Sequence, residues 1–354
     1  MYLTIPEFKC VTIEHTNKCH ARCPECSRTT NDGKVNPKLT MTEMTLDDYK
    51  RIAPPEFYTN IPLISFTGCF GDATASTNLP EVLKYLADLD TNMIIQTNGD
   101  FRPPEYYEEI ANIFGTSNSM RGIEFSVDGL EDTNHIYRVN TDFNRIMKNA
   151  KAFIKAGGKA RWNVILFDHI AHQKEEIIQR AKDMGFFGVA IKKVTRSLAS
   201  NKQYQSNMYE RVYFENDEFG RLLDQYGVYS NYVNTCGINC VFKGSGQMYI
   251  DHQLNLWPCT PIGGAIFYNV DREYHMIKDQ ILKVIERYGE GFNCLKDKTI
   301  EEVLNHPWFS HELEESWNNT MNDENFKLIS CAKACGDFIR TSGCASENKE
   351  KINF

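Results

Sequence analysis

The chain has 354 residues, 42% of them hydrophobic and 24% charged, which is ordinary globular usage; it excludes a mainly disordered chain and suits one large domain with an appendage, or two domains. Its net charge of −8 offers no general attraction for phosphate backbones or anionic surfaces, so neither nucleic acid nor a membrane is an expected partner. No apolar run approaches a membrane span and the N-terminus lacks an export signal, so a cytoplasmic location is expected, where twelve reduced cysteines favour metal or cluster ligation over disulfides.

Apolar, β-branched segments at 8–14, 63–67, 93–97, 123–127, 162–167 and 189–194 read as six buried strands. Helical patterns at 46–52, 79–89, 105–114, 143–156 and 174–184 alternate with them. A crossover helix between neighbouring strands means a parallel sheet, so the series predicts an α/β core built as a partial (β/α)6 barrel or a curved open sheet. The period breaks after Thr195, where the polar segment SLASNKQYQSNMYERVYFEND begins; a helix is expected around 217–225. Beyond it lie seven of the twelve cysteines and short strands near 247–250. The expected organisation is a core over 1–200, a linker over 201–235 and a small C-terminal cysteine-rich α+β domain over 236–354.

Directly after the first predicted strand, CHARCPEC places Cys19, Cys23 and Cys26 in a CxxxCxxC loop. Three thiolates so close can wrap one corner of a 4Fe-4S cluster and leave one iron open to a substrate or cofactor. A structural zinc site would want four closed ligands, and His15, His20 or Cys10 are available to complete it.

CxxxCxxC after the first strand of a βα series is the signature of the radical S-adenosylmethionine (radical SAM) superfamily, and the chain resembles a member. After the second strand, SFTGCFGDATAS resembles that family's Gly-Gly-Glu segment, here Gly68 and then Gly71, Asp72, Ala73 and Thr74. The resemblance implies that this backbone binds the amino group of S-adenosylmethionine (SAM). QTNGD is similar to the family's Thr-Asn-Gly turn, and FSVDGLEDTNHIYR resembles its Ser-x-Asp-Gly followed by an arginine. That match implies that Ser126 and Arg138 hold the SAM carboxylate, for which a guanidinium fork is chemically apt. Taken singly, Asp128 and Gly129 read as a turn, Ser126 as core-facing and Arg138 as the partner of a surface acid. Glu25 stands where the family commonly has an aromatic residue, and Asp72 and Ala73 replace its usual Glu and Pro. The resemblance further implies that Cys19, Cys23 and Cys26 carry catalysis. An electron donor such as flavodoxin or ferredoxin would reduce the cluster, which cleaves SAM to methionine and a 5′-deoxyadenosyl radical for hydrogen abstraction.

Cys240 and Cys259 flank a predicted β-hairpin, and Cys331 with Cys335 would complete a four-thiolate site. The pattern resembles the SPASM or twitch auxiliary domains of radical SAM enzymes and implies one auxiliary 4Fe-4S cluster on Cys240, Cys259, Cys331 and Cys335. Leu254 stands where those domains usually have Gly, and the later pair is CxxxC where CxxC is usual. Cys236, Cys294 and Cys344 remain over; zinc or isolated buried thiols are the plainer alternatives, and Cys69 and Cys10 read as buried thiols. HPWFSHELEESW reads as an amphipathic helix packing Trp308, Phe309 and Trp317 inward, and His169 and His172 are assigned no role. The expected substrate is a peptide or protein; the alternatives are dehydrogenation or rearrangement of a small molecule, or a non-catalytic iron-sulfur or zinc protein.

Overall fold

Along Met93–Thr97 every second side chain is buried, the period-two pattern of a strand with one face against helices. In the computed structural model, which describes residues 1–24, 26–30, 33–116, 119–193, 233–267, 275–337 and 349–353, this is β3 of a mainly parallel sheet. The elements before it are β1 (Cys10–Ile13), α1 (Leu46–Ile52), α2 (Pro55–Asn60), β2 (Ile64–Phe66) and α3 (Leu79–Asp88). After β3 come α4 (Pro104–Phe114), β4 (Arg121–Ser126), α5 (Asn134–Tyr137), α6 (Phe143–Lys155), β5 (Ala160–Leu166), α7 (Lys174–Met184) and β6 (Gly188–Lys193). Strands β2 to β6 pair in parallel in chain order, with β1 beside β2, which is the topology of a partial (β/α)6 barrel.

Local chemistry explains the helices between them. Thr45 and Asp48 form a reciprocal capping box at the start of α1, and Asp142 accepts from the Asn144 and Arg145 amides at the start of α6. In α3, Leu79, Val82, Leu83 and Leu86 repeat at helical spacing and are fully buried. The six strands and five helices expected before the polar segment are present with ends shifted by a few residues; α2 and α5 were not expected.

The chain divides into two compact units, one of Thr12–Met208 with Lys349–Phe354 and the other of Met1–Val11 with Tyr209–Asn348. This differs from the expected boundaries at both termini. The first residues fold with the C-terminal region, where the Tyr2 amide donates to the Phe309 carbonyl at 2.9 Å and the Lys9 amide to Gly246 at 2.8 Å. The strand Lys349–Asn353 instead pairs antiparallel with β6. The helix expected at 217–225, the residue Glu25 and Cys344 lie outside the described residues.

In the C-terminal unit, β7 (Gln247–Ile250) and β8 (Leu256–Trp257) form the expected antiparallel hairpin. Buried Asp251 at its tip accepts from the Gln253 and Asn255 amides and the Trp257 indole, and burial raises its pKa above the ordinary range. Trp308 and Phe309 are buried against Phe292, on a π-helical turn, Trp308–Glu312. Among the described residues no helix is long and apolar enough to cross a membrane.

Candidate functional site

The three-cysteine loop leaves the carboxyl end of β1 and is pinned from beneath. The Arg28 guanidinium donates to the carbonyls of Cys19 at 3.2 Å, Phe70 at 3.3 Å and Asn17. Buried Glu14, at the end of β1, accepts from the amides of Phe70 and Gly71, tying the loop after β2 to the same place. Neither residue carried a motif signal, because their work is to hold backbone groups that any sequence presents.

Cys19, Cys23 and Cys26 lie within electrostatic reach of one another. Burial, Asp72 and the other two thiols together push the Cys19 thiol well above its ordinary pKa. A thiol so discouraged from ionising fits a cationic metal centre, because a bound cation favours the thiolate that burial opposes. The Asn98 side chain, from the Thr-Asn-Gly turn after β3, donates to Cys19 Sγ at 3.5 Å, and Cys26 Sγ lies 3.8 Å from the Cys69 carbonyl. Asn98 is a site residue that the motif had marked without giving it a role.

Gly68 and Gly71 are each hemmed in by the chain itself. A Cβ on Gly68 would lie 1.6 Å from the Gly71 carbonyl oxygen, and one on Gly71 only 2.0 Å from that of Thr16. The close approach that demands glycine is made by the chain's own backbone. Asp72 is likewise turned inward: Oδ1 accepts from the Thr74 amide and hydroxyl, and Oδ2 from Thr97 Oγ1 at 2.9 Å and the Asn98 amide at 2.7 Å. Its carboxylate therefore clamps the loop after β2 to the turn after β3, which leaves backbone groups as the loop's means of meeting a ligand.

Ser126 ends β4, half-buried. Arg138 pairs through Nε with fully buried Asp128 at 2.5 Å, so its partner is a buried acid and not a surface one. Burial opposes the Arg138 charge, but Asp128 and Cys23 outweigh it and hold the pKa above the ordinary value. The same influence places the guanidinium near the cysteine loop, whose Arg22 amide also donates to the Val139 carbonyl. His15, one candidate for a fourth zinc ligand, has Nδ1 hydrogen-bonded to Tyr49 and Nε2 to Ser76, while His20 Nε2 lies 2.7 Å from Asp100. On the less buried face of the sheet, Gln96, Glu124 and Arg161 form a row in register, with Glu124 accepting from Gln96 at 3.1 Å and from Arg161 at 3.0 Å.

In the C-terminal unit Cys240 lies within electrostatic reach of Cys259, Cys331 and Cys335. Cys240 Sγ accepts from the Lys243 amide at 3.4 Å and lies 3.3 Å from the Tyr2 hydroxyl, and hydrogen bonding with Cys335 and Tyr2 outweighs desolvation and lowers the Cys240 pKa to about 6. Cys259 is pushed up by burial and by Cys331, and Cys331 by burial, Cys240 and Cys236. Cys236 thus stands beside the four. Cys294 is placed at the hairpin by a backbone bridge to Asn255. The donor set, four sulfurs of which Cys259 and Cys331 are kept protonated by burial and by neighbouring thiols, again suits a cluster that carries positive charge, because a bound cation favours the thiolate. Among the described residues, no three His, Cys, Asp or Glu side chains converge tightly enough to hold a single metal ion.

The radical SAM superfamily model matches residues 13–184, the stretch that carries the cysteine loop, the loops after β2 and β3, and Arg138. No curated protein matches the chain significantly. Among solved structures, the chain is similar to Streptococcus suis SuiB bound to S-adenosylmethionine, at 15% identity and a TM-score of 0.51, over 77% of this chain and 68% of that one. It is similar to anSMEcpe with bound AdoMet at 14% identity and a TM-score of 0.51, over 96% of this chain and 92% of that one. At such identities the likeness is one of fold. Residues 13–184, just under half of the chain, thus form a radical SAM domain, and the protein is an enzyme.

Proposed function

We propose that Cys19, Cys23 and Cys26 hold a 4Fe-4S cluster that binds SAM, and that the enzyme abstracts hydrogen from a peptide or protein substrate. The observation that carries the first part is the gathering of the three thiols with Asn98 and Arg138 at one edge of the sheet. When bound, the cluster and SAM supply one-electron reductive cleavage of the sulfonium, with the electron drawn from a donor such as flavodoxin or ferredoxin. Arg138, oriented by Asp128, offers its remaining N–H groups to the SAM carboxylate, and Ser126 adds a hydroxyl. Asn98 steadies Cys19, while the Asp72 clamp keeps the two flanking loops at fixed separation, so that little reorganisation is needed at the moment of reaction. The row of Gln96, Glu124 and Arg161 suits a substrate rich in hydrogen-bonding groups. Support for a peptide comes from the similar folds: SuiB has been solved bound to precursor peptide SuiA, and anSMEcpe with bound AdoMet and the Cp18Cys peptide, each at a TM-score of 0.50. In this reading Cys240, Cys259, Cys331 and Cys335 hold an auxiliary 4Fe-4S cluster in a SPASM- or twitch-like domain.

The test is anaerobic incubation of the reconstituted protein with dithionite and SAM, with 5′-deoxyadenosine measured by mass spectrometry. The native chain is expected to form it and the Cys26→Ala variant to form none; equal amounts from both would refute the assignment. Adding a deuterated peptide digest is expected to place deuterium in the 5′-deoxyadenosine. Transfer only from a deuterated small-metabolite fraction would move the substrate to that class.

A further inference from the structure

Two aromatic side chains hold their polar ends against the auxiliary thiols. Tyr2 is 1% exposed, and its hydroxyl lies 3.3 Å from Cys240 Sγ and 3.3 Å from the Pro258 carbonyl oxygen. The Lys243 amide donates to the same sulfur at 3.4 Å. The Trp317 indole N–H is buried with no hydrogen-bond partner among the described residues, and it is close enough to the Cys331 thiol to favour its ionisation. The rings of Tyr2 and Trp317 meet edge to face, with centroids 6.4 Å apart. All these residues belong to the same compact unit as the four cysteines.

The direction of the Tyr2 hydrogen bond follows from the state of the sulfur. A free Cys240 thiol can donate its own proton to the phenol oxygen. A ligating thiolate has none, so the hydrogen between the two must come from Tyr2. The phenol has one hydrogen and two acceptors in range, and the anionic sulfur is the stronger of them. Donors aimed at cluster thiolates stabilise the reduced state, which carries one more negative charge, over the oxidised one.

We propose that Tyr2, together with Trp317 and the Lys243 amide, donates hydrogen bonds to the thiolates of the auxiliary cluster and raises its reduction potential. This rests on the reading of Cys240 and Cys331 as cluster ligands. It gives the N-terminal segment a part in the electron chemistry of a site whose sulfurs come from the far end of the chain: Tyr2 and Cys240 are 238 residues apart. Tyr2 is a positioning residue in this role, since it acts on the cluster through the sulfur.

The experiment compares full-length, anaerobically reconstituted protein with its Tyr2→Phe and Trp317→Phe variants by iron and sulfide content and by redox titration followed by electron paramagnetic resonance. The signal to follow is the one that added SAM leaves unchanged, because a fully cysteine-ligated cluster has no open iron. Both variants are expected to keep about eight irons per chain, as two four-iron clusters require, and to show a more negative midpoint potential for that signal. A full iron complement with unchanged potential in both variants would overturn the donor role while leaving the auxiliary cluster in place. About four irons in the unmodified chain, with no SAM-insensitive signal, would remove the auxiliary cluster itself and the proposal with it. Loss of auxiliary iron in both variants would make these rings structural supports and would also overturn the proposal.

Discussion

At His15 both ring nitrogens are engaged and the side chain is 1% exposed, so the imidazole is held neutral; burial lowers its pKa to about 4. A base whose pKa is depressed on folding contributes stability that is complete above its unfolded value near 6.5. That contribution is lost as pH falls through 4, because the unfolded chain takes the proton first. The shift corresponds to about 3 kcal/mol. Urea unfolding at pH 7 and pH 4 is expected to show the unmodified chain losing about that much more stability than His15→Gln. An identical loss in both would show that His15 does not titrate with folding. The residue also marks a limit of sequence reading: as a histidine near a cysteine loop it counted as a possible ligand, and only its two hydrogen-bond partners, Tyr49 and Ser76, exclude it. Arg138 is a similar case, since its arginine motif was legible but the buried acid that orients it lies ten residues away in a segment that read as a turn.

The hairpin of β7 and β8 shows why one departure from the auxiliary-domain pattern is tolerated. Leu254 has φ of +70°, in the left-handed region that glycine enters freely and a bulky side chain enters at a cost of about 1–2 kcal/mol. It is also buried, which returns about 1.5–3 kcal/mol. Leu254→Gly is therefore expected to destabilise the C-terminal unit by only about 1 kcal/mol. Leu256→Gly, two residues on in a fully buried strand position, should cost about 3 kcal/mol or more. Urea denaturation of the two variants decides it, and equal losses would mean that Leu254 is not strained. Most elements were legible in this way, because period-two and helical burial patterns report on a few neighbouring residues at a time. Gly71 was legible as a necessary glycine, but whether backbone or ligand approaches it depends on Thr16 and Asn17, some fifty residues earlier, which no local pattern contains.

At the scale of the whole chain, the two terminal segments each fold with the unit that lies farther away in sequence, and periodicity carries no information on such exchanges. Removing residues 1–8 would withdraw Tyr2, Leu3 and Phe8, each no more than 3% exposed, from the unit that holds the four C-terminal cysteines. At about 1.5–3 kcal/mol per buried side chain, the loss rivals the roughly 5–15 kcal/mol that keeps a domain folded. Limited proteolysis of the truncated protein is expected to degrade that unit while sparing Thr12–Met208; resistance of both would show that the segment is dispensable. The strand Lys349–Asn353 has a consequence for biosynthesis. It covers the outer edge of β6, yet about 155 residues separate Lys193 from Lys349. At 5–20 residues per second, a ribosome leaves that edge bare for roughly 8 to 30 seconds. Until translation reaches Lys349, the nascent chain carries an open row of backbone donors and acceptors on which another strand can pair.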